Sequence, residues 1–274
     1  MIDLSAFSLA GKRIIVTGAN TGIGQGICIA AAKAGGAVIG VGRSAMDETE
    51  ALVKAEGGTF APVACDLGDH AAASAMLEGV WEAAGQVDGL VNNAGIIRRA
   101  DAVDFSEADW DEVMDVNLKS LFFLCQAFAR KALAAGREGR IVNIASVLSF
   151  QGGIRVPSYT ASKHGVLGVT RALACEWAAK GINVNAIAPG YIVSNNTEAL
   201  RNDPDRSAAI LGRIPAGRWG RPEDIGDAAV FLLAPVTTMR LPARLKAERS
   251  VTAAFPAAPD RRRYSRHCRR PSPR

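Results

Sequence analysis

Six short runs of apolar residues recur along the sequence, and longer Ala-rich segments separate them. Each run is nearly continuous in apolar character, which is typical of strands covered on both faces and therefore of a parallel sheet. The segments between the runs have the apolar spacing of helices. This alternation predicts an α/β fold with a doubly wound parallel sheet. The predicted strands are residues 13–18, 37–43, 60–67, 88–95, 140–146 and 182–190.

Local signals mark the starts of several predicted helices. One helix begins at Gly22 after a glycine turn, and another covers residues 159–179. Ser106 is expected to cap a long helix over 106–133, because acidic residues fill the turns that follow it. Pro222 is expected in the first turn of the helix in "RPEDIGDAAVFLL".

The positive charge of the chain is concentrated near its C-terminus. Residues 1–235 carry 21 Lys and Arg against 25 Asp and Glu, whereas residues 236–274 carry 11 against 2. The long first part therefore has a small negative charge, and its composition gives no reason to expect a nucleic acid partner.

The five cysteines form no C-x-x-C pair, and neither His70 nor His267 builds a ligand cluster with them. Free thiols in a reducing compartment and no metal site are therefore expected. The start "MIDLSAFSLAGKR" lacks the features of a secretion signal, and no apolar stretch is as long as a membrane span. We expect a cytoplasmic protein without a membrane partner.

A glycine-rich segment, "TGANTGIG", follows the first predicted strand and opens a helix. Missing side chains at its glycines allow close approach of a pyrophosphate, and the helix N-terminus offers free N–H groups and a positive dipole end. A simple tight turn is the alternative. The position after the first strand of an α/β chain favours dinucleotide binding and a Rossmann-type sheet.

The end of the second predicted strand bears on the choice between NAD and NADP. It reads Gly42-Arg43-Ser44, without the acidic residue that would hold a ribose 2′-hydroxyl. Arg43 is expected to bind a 2′-phosphate, to stack on adenine, or only to be solvated. Asp66, after the third predicted strand, is a candidate acceptor for the adenine amino group.

A serine, a tyrosine and a lysine form the candidate catalytic set. Tyr159 and Lys163 are four residues apart on a predicted helix, so their side chains share a face. A lysine cation beside a phenol favours the phenolate and lowers its pKa from about 10. Ser146 ends a predicted strand, where ligands of open α/β sheets bind, and its hydroxyl is placed to hold a carbonyl oxygen.

These motifs resemble the short-chain dehydrogenases/reductases over residues 5–234, through "TGANTGIG", "NNAG", "YTASK" and the "PG" of 189–190. The resemblance implies a catalytic tetrad of Asn117, Ser146, Tyr159 and Lys163. Tyr159 would transfer the proton, and Ser146 would hold the substrate oxygen. Lys163 would lower the Tyr159 pKa and bind the nicotinamide ribose, while Asn117 would hold a water in the proton relay.

A larger set of residues is implied for binding NAD or NADP. Through the resemblance, the backbone of "NAG" at 93–95 would lie along the adenosine ribose, and Ile192 would contact the carboxamide. The expected cofactor-binding residues are Gly18, Asn20, Thr21, Gly22, Ile23, Gly24, Arg43, Asp66, Leu67, Asn93, Ala94, Gly95, Tyr159, Lys163, Pro189, Gly190 and Ile192.

The segments "SFQGGIRVPS" and 195–225 resemble one subgroup, the 2-deoxy-D-gluconate 3-dehydrogenases, also described as 2-dehydro-3-deoxy-D-gluconate 5-dehydrogenases. That likeness implies NAD as cofactor and a sugar-acid substrate, whose carboxylate suits arginine. Arg98 and Arg155 are the candidates for the carboxylate, and Gln151 for a hydroxyl, beside Ser146 and Tyr159. The alternatives are a 3-oxoacyl or polyol reductase and a catalytically inactive dinucleotide-binding protein.

Residues 235–274 depart from the family pattern, so we expect one catalytic domain over 1–234 followed by an atypical basic tail. The codons for "PVTTM", shifted by two bases, allow Ser/Gly-Asp-Asp-Tyr, which matches that pattern. Our hypothesis is that a frameshift near Ala234 produced the atypical tail. A tail that binds an acidic surface is the alternative, and plain disorder fits the composition equally. The family implies a homo-oligomer, but a lost final strand would weaken the usual tetramer.

Overall fold

The computed structural model describes residues 5–238, and in them six parallel strands form one sheet of order β3-β2-β1-β4-β5-β6. Every predicted run overlaps one strand, so the expected doubly wound α/β fold is confirmed. The strand order reverses beside β1, which lies between β2 and β4. The strands are β1 (Arg13–Thr17), β2 (Ala37–Gly42), β3 (Phe60–Ala64), β4 (Gly89–Asn92), β5 (Gly139–Ile144) and β6 (Ile182–Ile187).

Helices cover both faces of the sheet, and each face has its own apolar core. One core joins Ile15 of β1 to the third, fifth and sixth helices, and the other joins Ile14 to the first, second and ninth. Consecutive strand residues therefore point into opposite cores. The helices are α1 (Gly22–Lys33), α2 (Asp47–Ala55), α3 (His70–Ala84), α4 (Glu107–Met114), α5 (Ser120–Ala134), α6 (Pro157–Trp177), α7 (Glu198–Arg201), α8 (Pro204–Leu211) and α9 (Pro222–Leu233).

The long helix predicted over 106–133 is two α-helices joined by a π-helical turn. Ser106 caps α4 as expected, since its hydroxyl accepts a hydrogen bond from the Asp109 amide at 3.1 Å. The π-helical segment Asp115–Lys119 separates α4 from α5 and contains Asn117. Apolar spacing did not predict this turn, because one extra residue in a turn barely changes the pattern. Such π-turns occur frequently at functional sites.

The predictions about the tail concern residues that lie mostly outside the described part. Pro235–Thr238 form a 3-10 turn after α9, and the tail from residue 239 onward lies outside the described residues. Over residues 5–238, no helix is long and apolar enough to cross a membrane, and no cluster of three potential metal ligands occurs.

The turn from β1 into α1 depends on backbone contacts that exclude side chains. A Cβ on Gly24 would overlap the Gly18 carbonyl oxygen and would come within 2.5 Å of the Asn93 Nδ2. Gly18 and Gly22 also have left-handed φ angles, of 65° and 57°. Glycine at these positions therefore lets α1 start directly against the end of the sheet.

The variant Gly24→Ala is expected to lower the free energy of unfolding by about 1–3 kcal/mol, because backbone atoms must move to admit the methyl group. Thermal and urea unfolding of the cofactor-free protein measure this loss. Gly79→Ala on α3 is the matched control, since a Cβ there meets nothing within 4 Å. That variant should gain about 0.5–1 kcal/mol from helix propensity. Equal effects of the two changes would contradict the packing argument.

Candidate active site

A cleft of about 420 Å³ lies at the C-terminal ends of the strands, next to the point where the strand order reverses. Ligands of open α/β sheets bind at this place. Of the residues expected to bind the cofactor, Gly24 alone does not line the cleft, and it acts instead by packing α1 against the sheet. The lining also includes residues 194–197, which follow β6 and overlap the segment 195–225 that resembles the sugar-acid subgroup.

Hydrogen bonds between the ends of β1 and β4 shape the floor of the cleft. The Thr17 hydroxyl accepts bonds from the main-chain amides of Asn93 and Ala94, both at 3.0 Å. The Asn93 side chain in turn donates to the Thr17 carbonyl at 2.9 Å. These bonds hold the loop of residues 93–95 against the glycine-rich turn, so that both segments face one cleft.

The N-terminus of α1 fits the pyrophosphate of a dinucleotide. Thr21 occupies the N-cap position, yet its side chain makes no capping hydrogen bond to the helix. Amide groups in the first turn of α1 therefore remain available to an anion, and the helix dipole favours negative charge there. The residues present fit NAD(P).

The far end of the cleft fits an adenosine moiety. Arg43 and Asp66 both line it. Asn20 fixes the turn after β2 through hydrogen bonds to Ser44 and Ala45. Among residues 5–238, no acidic side chain forms an ion pair with Arg43, so its charge is available to a ligand.

Lys163 is buried at the opposite end of the cleft. Its Nζ donates a hydrogen bond of 2.7 Å to the main-chain carbonyl of Ile144, the last residue of β5. Burial lowers the pKa of this amine to about 8. Gly95 leaves room beside it, since a Cβ there would lie 3.6 Å from the Nζ. The buried Lys163 amine is therefore held in a position to contact a ligand in the cleft.

Tyr159 stands beside Lys163, with the amine 5.6 Å from the centre of the phenol ring. Burial raises the pKa of Tyr159 above its ordinary value, and a hydrogen bond with Ser146 and the charge of Arg99 act in the opposite direction. The sequence had predicted a net lowering by Lys163. The difference has a physical cause, because removal of water around the phenol outweighs the Ser146 hydrogen bond and the charge of Arg99.

Ser146 and Asn117 complete the predicted tetrad, but their partners differ. Ser146 follows β5, and its hydroxyl accepts a bond from the Leu148 amide at 3.1 Å. The Asn117 side chain is fully buried and bonds both main-chain groups of Ile96, at 2.8 and 2.9 Å. The side chain of Asn117 thus fixes the loop after β4, and its role in holding a water stays a prediction.

The known sequence pattern described as short chain dehydrogenase matches residues 12–205, most of the chain. The chain belongs to the short-chain dehydrogenase family. It is therefore an NAD(P)-dependent oxidoreductase. Three residues of the predicted tetrad, Ser146, Tyr159 and Lys163, line the cleft, whereas Asn117 does not.

Similar members of this family carry names that concern sugar acids. The 2-dehydro-3-deoxy-D-gluconate 5-dehydrogenase of Escherichia coli strain K12 is 56% identical over 229 residues, which cover 84% of this chain and 90% of that protein. A solved structure from Agrobacterium tumefaciens, whose proposed activity is 2-deoxy-D-gluconate 3-dehydrogenase, contains NADP. It is 60% identical with a TM-score of 0.81, and the match covers 85% of this chain and 93% of that one.

A more distant solved structure contains a second small molecule. The gluconate 5-dehydrogenase of Burkholderia cenocepacia was solved with NADP and tartrate. It is 35% identical with a TM-score of 0.80, and the match covers 86% of this chain and 92% of that one.

The predicted substrate-binding residues outside the tetrad do not line the cleft; they are Arg98, Gln151 and Arg155. Arg98 forms ion pairs with Glu112 at 2.7 Å and with Asp109 at 3.5 Å. Two carboxylates therefore already compensate its charge. Its predicted role with a substrate carboxylate is not supported by this geometry.

Arg155 and Gln151 lie on the loop between Ser146 and Tyr159, and neither lines the cleft. Arg155 pairs with Asp101 at 3.1 Å, with more than half of its side chain exposed. Its backbone is left-handed, with a φ of 64°, which costs a non-glycine residue energy. The exposed Gln151 has no hydrogen bond among the described residues. Both assignments stay predictions.

Sequence reasoning did not single out Arg99, whose charge acts on Tyr159. Its Nη2 donates a 2.8 Å bond to the carbonyl of Asn196, a residue that lines the cleft. Arg98 and Arg99 are adjacent in the sequence, and the tertiary structure distinguishes them. Within residues 5–238, Arg98 has acidic partners and Arg99 has none.

Replacement of Tyr159 by Phe is expected to reduce turnover by about a hundred- to ten-thousandfold, because general acid–base catalysis of this kind contributes about 10²–10⁴. Affinity for the cofactor should stay within about twofold of the native value, since the aromatic ring remains. Lys163→Ala should impair both turnover and cofactor affinity. Steady-state rates and fluorescence titration with the cofactor measure these effects. Near-native turnover of Tyr159→Phe would contradict the assigned role.

Proposed function

We propose that this dehydrogenase transfers a hydride between NAD(P) and a secondary alcohol or ketone of a sugar acid, of the 2-dehydro-3-deoxy-D-gluconate or 2-deoxy-D-gluconate type. The observation that carries the proposal is the group formed by the half-buried Tyr159 and the buried Lys163 and Ser146, which all line a cleft that fits a dinucleotide. The names of the similar proteins described above support the sugar-acid substrate.

The bound cofactor supplies the acceptor or donor of the hydride. Ser146 binds the substrate oxygen through its hydroxyl, and Tyr159 takes the proton of that oxygen during oxidation or returns it during reduction. Because burial raises the pKa of Tyr159, the phenolate needs positive charge nearby. The Lys163 ammonium supplies that charge only while it is protonated, so its contribution declines as the pH rises through about 8.

Assays of the purified protein with several substrates test this function. Turnover of 2-deoxy-D-gluconate or 2-dehydro-3-deoxy-D-gluconate is expected, with kcat/KM at least about tenfold above that for a 3-oxoacyl thioester or a polyol. Turnover of only the thioester or the polyol would contradict the sugar-acid assignment and would show that the protein is a different reductase. Cofactor binding without turnover of any carbonyl compound or alcohol would indicate an inactive dinucleotide-binding protein.

We further propose that NADP is accepted and that Arg43 binds its 2′-phosphate. The subgroup resemblance alone implied NAD. The absence of an acidic residue after β2 and the position of Arg43 in the cleft favour NADP, because an arginine binds phosphate through charge-assisted hydrogen bonds. The two similar solved structures reported with NADP support the same preference.

The variant Arg43→Ala separates the two cofactors. The value of kcat/KM for NADP should fall about ten- to a hundredfold, because a charged hydrogen bond contributes about 1.5–3 kcal/mol. The value for NAD should change less than about twofold. Arg130→Ala, an exposed arginine of α5, is the control and should alter neither. Equal losses for both cofactors would show that Arg43 supports the fold or the adenine instead.

A homo-oligomer in the cytoplasm is the setting that we propose for this activity. The four described cysteines are free thiols, which suits a reducing compartment. The family likeness supports assembly. Gel filtration with light scattering tests the assembly state, and a monomer at micromolar concentration would contradict it.

A further inference from the structure

The side chain of Asn20 joins the glycine-rich turn to the turn that follows β2. Its Nδ2 donates hydrogen bonds to the Ser44 hydroxyl at 2.9 Å and to the Ala45 carbonyl at 3.1 Å, and the Ser44 carbonyl is a third acceptor. The amide nitrogen carries only two hydrogens, and these three acceptors surround it. This side chain therefore has no donor left for a ligand, although Asn20 lines the cleft.

The main chain of the glycine-rich turn is held separately, by Thr49 of α2. The fully buried Thr49 hydroxyl lies within hydrogen-bond distance of the Ala19 carbonyl, at 2.8 Å, and of the Asn20 carbonyl, at 3.2 Å. It also accepts a bond of 3.2 Å from the Gln25 side chain. Because the backbone of Asn20 is anchored in this way, its side chain can hold the turn opposite in place.

Gly42, the last residue of β2, leaves the space that the Asn20 side chain occupies. A Cβ on Gly42 would overlap the Asn20 Oδ1. The φ of Gly42 lies outside the left-handed region, so the backbone conformation does not require glycine there. The requirement comes from the close approach of Asn20, and a larger residue would displace the amide from its hydrogen bonds.

Arg43 lies between these two fixed points. Gly42 precedes it at the end of β2, and Asn20 holds the two residues that follow it, Ser44 and Ala45. The Arg43 side chain itself is exposed and lines the cleft. Ordering a long, exposed side chain and its loop on a ligand reduces affinity. A main chain that is fixed on both sides of Arg43 before the ligand binds makes this loss smaller.

We propose that Asn20 is a positioning residue for Arg43 and thereby raises the affinity for a cofactor that carries a 2′-phosphate. This inference rests on the proposed function of Arg43, which is to bind that phosphate. Asn20 does not contact the phosphate. It holds the main chain of the turn after β2, so that the Arg43 guanidinium is presented to the cleft. Loss of the Asn20 amide should therefore weaken binding of NADP and leave binding of NAD unchanged.

Calorimetric titration of the full chain with adenosine 2′,5′-bisphosphate and with 5′-AMP tests this role without turnover. The two ligands differ only in the 2′-phosphate. Asn20→Ala should weaken binding of the bisphosphate about three- to tenfold, because the ligand must then order the turn and Arg43. The affinity for 5′-AMP should stay within about twofold of the native value. Asn202→Ala is the matched control and should change neither affinity, since the exposed Asn202 does not line the cleft.

Two further variants show whether Asn20 acts through Arg43. In the Arg43→Ala background, Asn20→Ala should cause no further loss of bisphosphate affinity, because effects that pass through one group are not additive. Gly42→Ala keeps Asn20 but places a methyl group where the Oδ1 lies. It should weaken bisphosphate binding to a similar extent as Asn20→Ala, and it provides the test if Asn20→Ala does not fold.

Three results would overturn the inference. Equal losses for the bisphosphate and 5′-AMP would show that Asn20 supports the fold or the adenosine moiety. The same loss from Asn20→Ala in the native and the Arg43→Ala backgrounds would show that Asn20 acts without Arg43. Unchanged bisphosphate affinity in Asn20→Ala and in Gly42→Ala would show that the turn needs no support.

A separate result would contradict the proposed role of Arg43, on which the inference rests. It is a native chain that binds the bisphosphate no more tightly than 5′-AMP. Native preference for the bisphosphate that is lost in Arg43→Ala but kept in Asn20→Ala would instead leave the role of Arg43 intact and reject that of Asn20.

Discussion

A parallel sheet covered by helices on both faces concentrates polar chemistry at the edge where its strands end. Both cores of this protein are filled by apolar strand residues, so ligand-binding groups collect where the strands end. The hydrogen bonds of Thr17 to the loop after β4 hold two of these ends together. One cleft is then lined by the glycine-rich turn, the buried Lys163 and the segment after β6. Hydride and proton transfer depend on these groups facing the same cleft.

Within that cleft, burial acts in opposite directions on the two central groups. It lowers the pKa of Lys163 to about 8 and raises that of Tyr159, so in the free protein burial shifts both groups toward their neutral forms. Neither group alone provides a phenolate near neutral pH. Additional positive charge is needed, and Arg99 is the described cation whose charge lowers the Tyr159 pKa. Proton transfer by Tyr159 therefore requires bound ligands that supply further positive charge.

The sequence predicted those features that depend on local pattern. The six strands, the cap at Ser106 and the helix that carries Tyr159 and Lys163 follow from periodicity and from short motifs. Features that depend on distant partners were missed. Arg98 and Arg99 are adjacent and equivalent in sequence, and only the position of Glu112 on α4 shows that Arg98 is already compensated. The direction of the Tyr159 pKa shift depends on burial, which no spacing rule describes.

The ionisation of Tyr159 tests the electrostatic account most directly. Alkaline titration of tyrosinate absorbance, taken as the difference between the native protein and Tyr159→Phe, isolates this phenol from the other tyrosines. The account predicts a pKa above the ordinary value of about 10 in the cofactor-free protein. It predicts a lower pKa with oxidised NADP bound, because the nicotinamide ring then carries positive charge. A pKa at or below 10 without cofactor, or one that cofactor leaves unchanged, would contradict the account.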